Sequence, residues 1–126
     1  MKFSFKKEKS IMSNKKTVAY LRVSTLDQDI DKNKADILIL ANSLHLGHVE
    51  FIEEKVSGKV PWCKRKVATI LESCQEGDTI IVSEISRLGR SMLECMEILS
   101  IATSKSIKVY AVKGNWMVVS QVRLWQ

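Results

Sequence analysis

The sequence predicts one α/β domain in three layers: a mainly parallel four-stranded sheet with helices on both faces. Short β-branched runs alternate with stretches of helical apolar spacing along the 126 residues, the pattern that builds parallel sheets. A chain of this length holds one core and does not hold two full domains. With 45% apolar and 27% charged residues, five Gly and one Pro, it is neither a disordered, a collagen-like nor a low-complexity sequence.

Thr17 to Val23 (TVAYLRV) is rich in β-branched and aromatic residues and reads as the first strand, followed by the polar turn Ser24 to Asp29. Ile30, Ile37, Leu38, Ala41 and Leu44 recur at helical spacing and stop before Gly47. Val49 to Glu53 reads as a second strand, Glu54 to Pro61 as a loop and Lys64 to Gln75 as a helix stopped by Gly77. Thr79 to Ser83 gives a third strand, Met92 to Thr103 a helix and Ile107 to Val112 a fourth strand. Gly114 to Gln126 carries apolar residues without a clear period, and a terminal strand or frayed tail is the plainest reading of it.

Lys and Arg number 20 against 14 Asp and Glu, a net charge of +6, but the excess is local. Residues 1–16 hold six lysines and one glutamate, so this segment reads as a basic, disordered tail, and Met12 within it is a candidate native start. The remainder is nearly neutral, so a basic balance by itself says little about a nucleic-acid partner. Three cysteines without a CxxC pair suit a reducing cytoplasm and read as buried or idle thiols. No apolar run reaches the roughly 20 residues of a membrane helix, and no signal-peptide core is present, so a cytoplasmic chain without a membrane partner is expected. His45 and His48 have ligand-like spacing but no cysteine nearby, and no metal is assigned.

Arg22 is out of place in a strand buried on both faces. A period of two puts Tyr20, Arg22 and Ser24 on one side, with Ser24 at the strand's carboxyl end, where open α/β sheets place ligands. The plainer alternative is a helix-capping serine and a structural ion pair. A second cluster, Ser86-Arg87-Leu88-Gly89-Arg90-Ser91, follows the third strand, and Arg87 and Arg90 share a face if that segment is helical. Guanidinium forks suit phosphate oxygens, so arginines from both clusters with a serine hydroxyl between them form an anion site with a nucleophile, as phosphoryl transfer requires.

These segments, Tyr20-Leu21-Arg22-Val23-Ser24-Thr25 with Gln28, Glu54-Lys55-Val56-Ser57-Gly58 and Ser86-Arg87-Leu88-Gly89-Arg90, resemble the catalytic domain of the serine recombinases, the resolvase and invertase family. The resemblance spans Thr17 to about Trp116, and Glu53 to Val60 with Val112 to Trp116 look invertase-like. It implies a resolvase-like fold in which Ser24 attacks a DNA phosphodiester, leaving a 5′-phosphoserine link and a free 3′-hydroxyl until strands are exchanged and rejoined. Arg22, Arg87 and Arg90 would hold the phosphate, Gln28 would help order the site, and Arg65 would be a further active-site arginine on a mobile loop. Tyr20, Glu54, Ser57 and Lys113 fall on its DNA-binding side. The implied partner is DNA, with dimers and tetramers in intact members and no metal, cofactor or small-molecule substrate.

Departures from the family pattern shape three expectations. Ser86 stands where an aspartate is frequent, which leaves the general acid or base unassigned. After Trp116 the resemblance stops, residues 117–126 read as a non-family tail, and the interface helix and DNA-binding domain of family members are missing. The expectation is a truncated or frameshifted chain with impaired recombination. The alternative is a non-catalytic remnant or dimerisation module of the same fold. A receiver or nucleotide-binding domain is disfavoured, because the first strand ends in Arg22-Val23-Ser24 and no GxGxxG or GxxxxGK[ST] motif is present.

Overall fold

The computed structural model describes residues 15–23 and 30–113. Four strands, β1 (Thr17–Val23), β2 (Glu50–Lys55), β3 (Thr79–Val82) and β4 (Lys108–Ala111), form one sheet in the order β2-β1-β3-β4. Each adjacent pair is parallel, so the mainly parallel expectation becomes all-parallel here. Three helices connect them: α1 (Ile30–Ser43), α2 (Lys66–Ser73) and α3 (Met92–Ser104).

The alternation of side chains along β1 divides the core. Val18 and Tyr20 join Ile80, Val82 and Val109 against Val67, Ile70 and Leu71 of α2 and Ile98, Leu99 and Ala102 of α3. Ala19 and Leu21 face the other way, with Ile81, against Ile37 and Ala41 of α1. These are the three layers expected. The order also produces a topological switch point, since β1 connects outward to β2 on one face while β3 connects to β4 on the other. Open sheets form a crevice there, beyond the carboxyl ends of β1 and β3.

Two boundaries differ from the sequence reading. Glu54 and Lys55 extend β2 instead of opening a loop, because the ladder with β1 continues through Arg22↔Glu54 and Val23↔Lys55. The helix expected from Lys64 begins at Lys66, preceded by a 3-10 turn (Trp62–Lys64) and by Arg65 in extended geometry. At the other end of the domain, Asp78 accepts the backbone N–H groups of Lys16 and Gln75, tying the start of β1 to the turn before β3. Cys74 and Cys95 are buried and burial raises their thiol pKa, whereas Cys63 is exposed. No helix among the described residues is long and apolar enough to cross a membrane.

Candidate active site at the carboxyl edge of the sheet

Arg22 lies on the α2/α3 side of β1, one residue from the strand's end, and its Nη1 donates to the carbonyl of Val56 at 3.2 Å. Gly58 sits against its guanidinium: a Cβ there would lie 3.7 Å from Nη2. The loop after β2 thus wraps the Arg22 head. Ser24 and Gln28, the expected nucleophile and ordering residue, fall outside the described residues, Ser24 directly after the end of β1.

Arg87 and Arg90 follow β3, the strand beside β1, so Arg22 and the arginine turn lie at the carboxyl ends of neighbouring strands. Arg87 and Arg90 do not belong to one helix, however. Arg87 closes a 3-10 turn (Ile85–Arg87), and Arg90 precedes α3, whose N-cap is Ser91. Each pairs with its own carboxylate, Arg87 Nε with Glu84 Oε2 at 3.9 Å and Arg90 Nε with Glu94 Oε2 at 3.0 Å. Both arginines remain partly exposed, and in each pair the contact is made by Nε. Ser86 is exposed, its hydroxyl 3.4 Å from Glu84.

Glu94 is a site residue that the sequence reading missed. Its Oε1 accepts the backbone N–H of Arg90 at 2.9 Å and that of Trp62 at 3.1 Å, joining the arginine turn to the loop before α2. Those bonds, the Arg90 backbone first, lower its carboxyl pKa. Gly89 is required beside it, since a Cβ there would come within 2.7 Å of the Glu94 Cβ. The signal was available as Ser91-x-x-Glu94, a capping-box spacing, and the Ser91 hydroxyl accepts the Glu94 N–H.

Tyr20, expected on the DNA-binding side, is instead wholly buried, with its hydroxyl donating to Glu54 Oε1 at 2.8 Å. Burial first, then the hydrogen bond and charge of Glu54, raise its phenol well above the usual value, while Arg65 pulls the other way. Direct contact with DNA does not fit that position. The same Glu54 oxygen accepts the Lys66 backbone N–H at 2.7 Å, near the start of α2. Glu54 therefore fixes a helix end from within, whereas Ser57 and Lys113 are exposed as a DNA-facing role requires.

Arg65 departs furthest from expectation. It is 2% exposed, and its guanidinium donates to three backbone carbonyls: Val60 (2.8 Å), Gly58 (3.1 Å) and Arg87 (3.1 Å). A phosphate-holding role by direct contact does not fit those partners. Its neighbour Lys66 extends Nζ to the Glu53 carbonyl, whereas Lys64 is exposed.

Arg22, Arg87 and Arg90 gather at this edge beside the amino-terminal ends of α2 and α3, interleaved with the carboxylates of Glu54, Glu84 and Glu94. Among the described residues no group of three or more His, Cys, Asp or Glu side chains is gathered as a metal site.

Comparison with known proteins identifies the family. The family model "Resolvase, N terminal domain" matches residues 17–121. A resolvase of Clostridium perfringens is 27% identical over 100 residues, covering 79% of this chain and 50% of the relative. The DNA-invertase hin of Salmonella typhimurium is 35% identical over 88 residues, 67% of this chain and 40% of the relative. The solved C-terminal catalytic domain of ISC1926 TnpA, an IS607-like serine recombinase, superimposes with a TM-score of 0.62 at 22% identity, over 85% of this chain and 77% of that one. The family model and these relatives identify a serine recombinase catalytic domain. The chain belongs to the resolvase N-terminal domain family, and it spans about half the length of the curated relatives it matches.

Proposed function

We propose that this chain supplies the DNA-cleaving domain of a site-specific recombinase, with Ser24 as nucleophile and Arg22, Arg87 and Arg90 as the phosphate grip. The observation that carries this reading is the placement of Arg22 and Arg87 at the ends of adjacent parallel strands, on either side of the switch-point crevice. The Ser24 Oγ forms the new bond to phosphorus as the bond to O3′ breaks. The serine proton leaves and O3′ takes one up, giving a 5′-phosphoserine and a 3′-hydroxyl. One phosphate ester replaces another, so the step consumes no water, nucleotide or metal and reverses to rejoin the strands. The arginines stabilise the charge that develops on the non-bridging oxygens. Strand exchange requires two cut duplexes, and hence protomers acting in pairs.

One feature favours a second reading, a non-catalytic module of the same fold: Ser86 offers a weakly bonded hydroxyl where a carboxylate would serve proton transfer better. Incubating the chain with nicked duplex DNA, from which the short fragment ending in the new 3′-hydroxyl is released, separates the two. The recombinase reading predicts a denaturation-resistant protein–DNA adduct that is absent in Ser24→Ala while DNA binding persists. Absence of any adduct in the unsubstituted chain supports the non-catalytic module.

A further inference from the structure

The loop from Val56 to Val60 is held by two arginines from different elements. Arg22, on β1, takes the Val56 carbonyl, and Arg65, at the N-cap of α2, takes those of Gly58 and Val60. The remaining bond of Arg65 reaches the carbonyl of Arg87 itself, in the turn after β3. The loop just before Arg65 and the turn 22 residues after it therefore converge on one buried guanidinium, whose planar fork suits acceptors in fixed directions better than a lysine ammonium does.

We infer that Arg65 is a positioning residue: it clamps the Val56–Val60 loop to the Arg87 turn and so sets the spacing of Arg22 and Arg87, without itself touching the phosphate. The inference rests on the reading that Arg22 and Arg87 hold a DNA phosphate, and it differs from that reading in what it asks of Arg65. A ligand arginine must present N–H groups to solvent, whereas this one is 2% exposed, with Nε and one N–H of each terminal nitrogen given to peptide carbonyls. Arg22, bonded to the loop, and Arg87, bonded to Arg65 through its own carbonyl, would both move if the clamp loosened. Loss of Arg65 therefore disturbs two phosphate contacts through one side chain.

Two measurements on the full chain test this. The first follows arginine Nε–H resonances during titration with a random-sequence DNA duplex at low salt. Arg22, Arg87 and Arg90 should shift, while Arg65 stays unshifted and protected from exchange. An Arg65 resonance that moves with the others, or loses protection, makes it a phosphate ligand and overturns the inference. If no arginine responds to DNA, the phosphate-grip reading fails instead. The second needs no DNA: amide exchange in Arg65→Lys against the unsubstituted chain. The amides of Val60, Arg87 and Leu88, each hydrogen-bonded within its own turn, should exchange at least about tenfold faster, while those of β1 and β3 are unchanged. Equal exchange at all three turn amides contradicts the clamp whatever DNA does. A uniform acceleration that includes the strands makes Arg65 a general stability residue and contradicts it equally.

Discussion

On one side of β1, Ala19 and Leu21 meet Ile37 and Ala41 of α1 in a buried cluster without an ionisable side chain. On the other, displaced by a single residue in sequence, Tyr20 and Arg22 lead from an apolar core into the polar edge formed by Glu54, Arg65, Arg87 and Glu94. The buried part of the α1 face is apolar packing, with the Lys34–Glu53 ion pair at its rim. The α2/α3 face packs at its base and positions charge at its carboxyl end, because only there do two helix starts, a loop and a turn come together over one side of the switch point. A strand with period two can thus serve both purposes within seven residues.

The largest effect should come from the thicker side. Ile98→Ala empties a site enclosed by two helices and the sheet, with an expected loss of about 3 to 5 kcal/mol in urea unfolding. Ile37→Ala, beneath the single helix α1, should cost less, about 2 to 3 kcal/mol, because α1 can settle onto the sheet. Equal losses would show that the two layers do not differ in packing. Glu54→Ala takes the acceptor from the buried Tyr20 hydroxyl and the Lys66 N–H. A loss of about 1 to 3 kcal/mol is expected from the same unfolding measurement.

Two pH experiments sharpen the contrast further. Tyr20 has a folded-state pKa raised above its unfolded value, so its contribution is complete below about pH 10 and is lost as pH rises toward the folded value. Thermal melts should fall more steeply above pH 10 in the unsubstituted chain than in Tyr20→Phe. Glu94 is shifted the opposite way. Its stabilisation is present at neutral pH and lost as pH falls below the ordinary carboxylate range through its lowered folded value. Glu94→Gln should flatten the acid limb of the stability curve, the smallest effect of the set, and an unchanged acid limb would remove Glu94 from the network.

The strands and helices were legible because burial on a sheet enforces alternation and burial on a helix enforces its own period, and both leave marks in apolar residues. The placing of Arg22 and Arg87 at the carboxyl ends of neighbouring strands was legible for a related reason: one closes and the other follows a run that reads as a strand. Arg65 was not legible. It sits between two lysines, which reads as a solvated basic face, and what buries it is backbone carbonyl oxygen, supplied by loops of any sequence. The extension of β2 was hidden because Glu54 and Lys55 are poor strand formers, kept in the ladder by their partners on β1. Tyr20 was legible as a strand residue but was expected on the DNA-binding side; its attachment to Glu54 depends on register, which the sequence does not display.

On the proposed function, DNA lies at the carboxyl edge and nowhere on α1, and residue-resolved covalent footprinting tests this directly. Lysine acylation and arginine modification, read by mass spectrometry with and without duplex DNA at low salt, should show protection at Arg22, Arg87 and Arg90. Lys32 and Lys34 on α1 should be modified equally in both conditions. Protection of the α1 lysines with Arg22 and Arg87 left reactive would contradict the account.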